Sequence, residues 1–170
     1  MLNRLSVDDN IKFCEDLFLK TEDPVKKLFL MRMALLETCG WIEECLDEIY
    51  SYNPKNKPIT DYKIMEEHIK KLYSFEYDKM MKSISLSIGV FNATSLEEKL
   101  KERFPEQYAK FKGSLGCLLR FRNEYAHKNT EACTNSSMGF SSLRDHLKNI
   151  HLGLRALDYS VKKIHQIPVS

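Results

Sequence analysis

The sequence predicts an all-α fold, an up-and-down helical bundle of about five to six helices. Apolar residues recur at steps of three and four through most of the chain, and strand-like alternation is absent. Only 6 glycines and 5 prolines punctuate 170 residues. That length reads as one domain over residues 1–170, enough chain to bury a full hydrophobic core. No internal repeat, low-complexity tract or interdomain linker divides it.

Each element has its own signature. A short helix is expected over Asp8–Lys20, with Ile11, Cys14, Leu17 and Phe18 on one side and Asp8 or Ser6 as N-cap. Asp23 is expected to cap the next helix, and Pro24 suits its first turn because the N–H it lacks would be unpaired there anyway. This helix is expected from Pro24 to about Tyr50. Its apolar positions are so widely distributed that it reads as a central helix packed on several sides. Gly40 beside Trp41 is a candidate for close helix approach, and Glu43, Glu44, Asp47 and Glu48 read as a solvated face. The stretch Asn53–Pro58 is a loop by composition.

A helix from Asp61 to about Leu86 is expected next, with the aromatic cluster Tyr73, Phe75 and Tyr77 serving as core or interface. Ser87–Thr94 is expected to be irregular, turning at Gly89, and Ser95 with Glu98 forms a capping-box pattern for a short helix ending near Phe104. The following helix, Pro105–His127, carries Phe111, Leu115, Leu118 and Tyr125 on one stripe. Gly113 and Gly116 within it are expected to mark a tight helix crossing, since they lower helix propensity. Lys128–Gly139 reads as a polar loop. Ser141 or Ser142 is expected to cap a last helix whose stripe, Leu143 through Ile164, is the strongest periodic signal in the chain.

Composition narrows the function classes. A formal net charge of +2 leaves no broad nucleic-acid footprint, so an anionic partner must be met by a local patch. The odd set Cys14, Cys39, Cys45, Cys117 and Cys133 contains no CxxC pair, which reads as reduced thiols without a zinc or disulfide framework. No signal peptide and no bilayer-length apolar run is present, so a cytoplasmic protein is expected.

The chemistry concentrates in Leu118–His127. Arg122 falls on the apolar stripe, where a guanidinium is expensive unless it meets an anion or a full set of acceptors. Positions 122 and 127 point about 140° apart on a helix, whereas Asn123 and His127 share a face. Two routes gather all three: the helix ends or distorts near His127, or a second copy completes the site across a two-fold axis. Such a cleft suits RNA cleavage without metal. The ribose 2′-hydroxyl is the nucleophile, a histidine moves its proton, an arginine holds the phosphate and an asparagine orients either. His68, His146, His151 and His165 show no ligand spacing and read as surface or interface residues, and Glu124 reads as a solvated partner of Arg120.

Arg122-Asn123-Glu124-Tyr125-Ala126-His127 resembles the Arg-x4–6-His motif of the HEPN superfamily. The resemblance implies a HEPN-like helical bundle that dimerises, with paired motifs lining a cleft. It implies a metal-independent endoribonuclease of toxin–antitoxin, abortive-infection or other defence systems. Arg122 and His127 would be catalytic and Asn123 supporting, with Arg120 and Lys128 as further substrate contacts. No metal or other cofactor is expected. The implied partners are RNA, a second copy of the chain, and an antitoxin or other protein. One branch of the family has a tyrosine two positions after the histidine; here that position is Asn129. Two other readings accompany this one: a non-catalytic HEPN-like module binding RNA, a nucleotide or a protein, and a transcription regulator resembling the mannitol-operon repressor family, whose motif is similar.

Overall fold

The structure, a computed structural model, describes residues 3–52, 63–64, 66–69, 74–127 and 138–165; of Ala126 and His127 it describes only the backbone. Six helices are bounded within it: α1 (Leu5–Lys20), α2 (Pro24–Tyr50), α3 (Tyr77–Ile88), α4 (Val90–Arg103), α5 (Pro105–His127) and α6 (Phe140–Ile164). Residues 63–64 and 66–69 are also helical. The described residues contain no strand, and the all-α expectation holds. The loop expected at 53–58 lies outside the described residues, as do residues 128–137 of the loop expected over Lys128–Gly139, with Tyr73, Lys128, Asn129 and Cys133 among the residues left out.

Four long helices make the frame. Asn10 bonds Glu37, and Trp41 donates its indole N–H to the Asn3 carbonyl, so α1 runs antiparallel to α2. Arg32 lies over the Tyr125 ring and Arg122 reaches Glu43, so α5 is also antiparallel to α2. Ser114 meets His146 and Asn149 while Phe111 meets Gly153, making α6 antiparallel to α5. Most of the apolar steps read from the sequence are what these helices bury, but Leu17 and Ile164, expected on those stripes, are exposed because each lies in the last turn of its helix. Ile11, Cys14, Leu35, Ile42, Leu115, Leu118, Leu143, Leu147, Leu154 and Val161 are at most 1% exposed and belong to one core cluster. The breadth of the apolar face on α2 is explained by its contacts with α1, α3, α5 and α6. Phe75 and Tyr77 are buried, as expected of core aromatics.

The remaining two helices cross near the start of α5. Tyr77 of α3 and Tyr108 of α5 both donate to the Glu97 carboxylate of α4, at 3.1 and 2.7 Å. At the other end of α2, a buried polar cluster joins the chain after α2 to α6. Tyr52 donates to Asp158 at 2.5 Å, and Lys162 donates to the other Asp158 oxygen at 3.1 Å. Each buried charge thus has an opposite charge and a hydrogen bond, without which its burial would be strongly destabilising.

Several local expectations are corrected. The helix expected to run from Asp61 to Leu86 is interrupted, since residues 74–76 are not helical and α3 starts at Tyr77. Ser87–Thr94 is not irregular. Helix α3 continues to Ile88, Gly89 turns the chain at φ 87° and ψ 148°, and α4 starts at once. Ser95 is therefore inside α4 and caps nothing. Neither Asp8 nor Ser6 caps α1, which starts earlier; the Asn3 side chain accepts from the Leu5 N–H at 3.0 Å. Neither Ser141 nor Ser142 caps α6, which starts at Phe140 after Gly139. Asp23 does cap α2, accepting from the N–H groups of Val25 and Lys26. Gly40, Gly113 and Gly116 mark no close crossing, because a Cβ on any of them would meet nothing within 4 Å. The glycine at a tight crossing is Gly153, where a Cβ would collide with the Phe111 ring.

Candidate functional site

Helix α5 is regular up to His127, so it does not end before the motif is complete. Its buried residues Phe111, Leu115, Leu118 and Tyr125 form the expected stripe, and Arg122 continues it. At 100° per residue, position 122 lies within about 60° of all four, and positions 122 and 127 diverge by about 140°. Within one chain the structure does not bring Arg122 and His127 to one face through a helix end. The direction of the His127 side chain lies outside what is described.

Arg122 is half-buried, with 42% of its side chain exposed, and its Nη2 donates to Glu43 Oε1 of α2 at 3.3 Å. The guanidinium forms no other hydrogen bond among the described residues. At this exposure the pair contributes on the order of 1 kcal/mol or less. Glu43 is thus only partly solvated and faces the motif, which corrects its reading as part of a solvated face. One turn earlier on α2, the Cys39 thiol is buried against the same pair. Burial pushes its pKa up to about 12, Arg122 pulls against this and Glu43 adds to it. That keeps it a protonated thiol at neutral pH, not a nucleophile. Farther along the seam, the Arg32 guanidinium lies 5.3 Å from the centre of the Tyr125 ring.

The neighbouring candidates face water. Asn123 and Arg120 are exposed, with the Arg120 guanidinium 5.1 Å from the centre of the Phe121 ring. Next to the seam, α2 carries an unusual surface. Val25, Phe29, Met33 and Leu36 are 50, 56, 51 and 51% exposed. At 100° per residue they fall within about 80° of one another, and Arg32 and Glu43 lie at the edge of the same face. Phe13 and Leu17 of α1, on the helix side that carries Asn10, are also exposed. The motif therefore borders an exposed apolar strip running across two helices.

Sequence reasoning missed Glu43 and Cys39. Their signal was the demand that a stripe arginine find an anion, but which acidic residue answers depends on how α2 and α5 are registered. Of the other histidines, His68 is exposed, as expected of a surface residue, whereas three are more integrated: His146 Nδ1 is 3.1 Å from Ser114 Oγ, His151 packs on Trp41, and His165 lies 3.5 Å from Ser87. Among the described residues, no group of three or more His, Cys, Asp or Glu side chains is arranged to hold a metal ion. Also among them, no helix is long and apolar enough to cross a membrane. Comparison with protein-family models, with curated proteins and with solved structures finds no match to this chain.

Proposed function

We propose that this chain is a metal-independent endoribonuclease of HEPN type whose site is assembled from two copies, with Arg122 and His127 as catalytic residues and Asn123 in support. The observation that carries the reading is the setting of Arg122. A half-exposed guanidinium, tethered by one hydrogen bond, stands at the edge of an exposed apolar strip on α2. A second copy covering that strip would bring two motifs to one seam, which answers the 140° divergence within a single chain.

In such a cleft His127 takes the proton of a ribose 2′-hydroxyl, and the oxygen attacks the adjacent phosphorus. The new O2′–P bond forms as the P–O5′ bond breaks, and the second histidine returns a proton to the leaving oxygen. Arg122 binds the phosphate through its remaining N–H groups and stabilises the charge of the transition state. The products are a 2′,3′-cyclic phosphate and a 5′-hydroxyl. A defence or growth-control role, and an antitoxin or other regulatory protein, fit an enzyme of this class.

The test is cleavage of labelled RNA in EDTA. The wild-type chain should cut and leave a cyclic phosphate, while Arg122→Ala and His127→Ala should each lose activity by at least about a hundredfold. Mixing the two inactive variants should not restore full cutting, because a mixed dimer holds one histidine where the step uses two. A His127→Ala protein that cuts like wild type would overturn the assignment.

A non-catalytic RNA-, nucleotide- or protein-binding module is the second reading. It is favoured by the Glu43 carboxylate already bonded to Arg122, and it predicts RNA binding without any cleavage by the wild-type chain.

A further inference from the structure

A second surface lies far from the motif. Two depressions between α4, α6 and the start of α5 share Leu100, Phe104 and Ala156 and so form one elongated groove. The more enclosed end, about 290 Å³, is walled by Phe111, Leu152 and Gly153. It owes its shape to Gly153, whose missing side chain leaves room for the Phe111 ring. Phe104, Leu152 and Tyr159 stand on the groove 54, 51 and 52% exposed.

The charge around this apolar floor has one sign. Lys99, Arg103 and Lys163 line the wider end and Lys110 the narrower one; no acidic side chain lines either. Lys110 is bonded to Glu106. Lys99, Arg103 and Lys163 have no ion-pair partner among the described residues. From Asn92 to Phe104 the α4 wall runs about 18 Å at 1.5 Å per residue. That is the length of about three helical turns, too long for a compact ligand. An amphipathic helix lays apolar anchors at i, i+3/i+4 and i+7 into such a groove, and its flanking charges select the partner.

We propose that this groove binds an acidic amphipathic helix of a partner protein. The anchors would sit over Leu100, Phe104 and Ala156, with carboxylates facing Lys99, Arg103 and Lys163. The site is independent of the ribonuclease reading: position 111, where the groove ends on α5, is about 16 Å along the helix from Arg122.

The test is selection from a displayed library of helical peptides about four turns long. Apolar anchors are held at one face and the flanking positions vary freely among Glu, Lys and Gln. Retained peptides should be rich in Glu, and their amide-exchange protection should fall on α4 and α6. Their binding should weaken at least about tenfold both in the Lys99→Glu/Arg103→Glu variant and in Leu152→Asp, with helical circular dichroism unchanged. Retained peptides that are neutral or basic would overturn the proposal, as would full-strength binding to both variants or protection elsewhere. Failure to retain any peptide would do the same.

Discussion

The guanidinium of Arg122 has several N–H donors, and Glu43 uses one of them at 3.3 Å. In the proposed ribonuclease, a phosphate arriving at Arg122 must share it with that carboxylate, whose charge repels the newcomer. On the background of His127→Ala, which that proposal expects to be cleavage-inert, Glu43→Gln should therefore tighten RNA binding severalfold, read by fluorescence anisotropy, while stability changes by less than about 1 kcal/mol. Unchanged affinity would mean that Glu43 does not compete. His146 allows a second prediction. Burial lowers its pKa below the ordinary 6.5, with Asp145 opposing. The unfolded chain then binds more protons than the folded one as pH falls through 6.5, so stability is full above that value and lost below it. Denaturant midpoints should fall on acidification below pH 6.5, and His146→Gln should flatten that part of the curve. These side chains were legible to different degrees. Arg122 declared itself as a charge on an apolar stripe, because burial of a guanidinium demands a partner. His146 gave no sign, since its partner Ser114 is 32 positions away and only the packing of α5 on α6 joins them.

At the scale of the helix, the sequence revealed faces better than ends. Steps of three and four identified the buried residues of α2, α5 and α6 because burial repeats with the helix turn. Ends depend on one or two side chains, and several candidates compete for each. Asp23 caps α2 because Pro24 fixes the entry, whereas the Ser95–Glu98 pattern is overridden by a helix that starts five residues earlier. Glycines show the same limit. Gly89 was read correctly as a turn, and its φ of 87° with ψ of 148° is a conformation that an L side chain strains to adopt. Gly113 was read as a contact and makes none. Substitution should separate the two. Gly89→Ala should lower stability by about 1–3 kcal/mol, while Gly113→Ala should raise it by about 0.5–1 kcal/mol, as expected for an open helix interior. Thermal unfolding of the two variants beside wild type checks both. Equal behaviour would mean that the junction of α3 and α4 tolerates a side chain.

At the scale of the whole molecule, Phe13 and Leu17 of α1 and Val25, Phe29, Met33 and Leu36 of α2 form an exposed strip that a second copy could cover. Covering a side chain that is already about half buried contributes on the order of 1 kcal/mol. Six such residues, doubled by two-fold symmetry, give roughly 12 kcal/mol. Association in turn costs about 4–15 kcal/mol in lost freedom. The strip is thus large enough to hold two copies together, but with little margin, and a single charge placed in it should separate them. Met33→Glu should make the chain monomeric by light scattering while leaving its helical content unchanged. The motif itself is untouched by that substitution, yet in a composite site RNA cleavage should fall with the dimer. Arg122→Ala should show the opposite pattern, a full dimer without cleavage. A monomeric Met33→Glu protein that still cuts would place all of the chemistry within one chain. A dimeric one would show that some other surface joins the copies. The five-residue spacing of Arg122 and His127 raised the expectation of a second copy, beside that of a helix end or distortion near His127, but gave no sign of this strip. Nothing in the pattern of α2 distinguishes an apolar residue facing the core from one facing water until α1 and α5 are docked on either side.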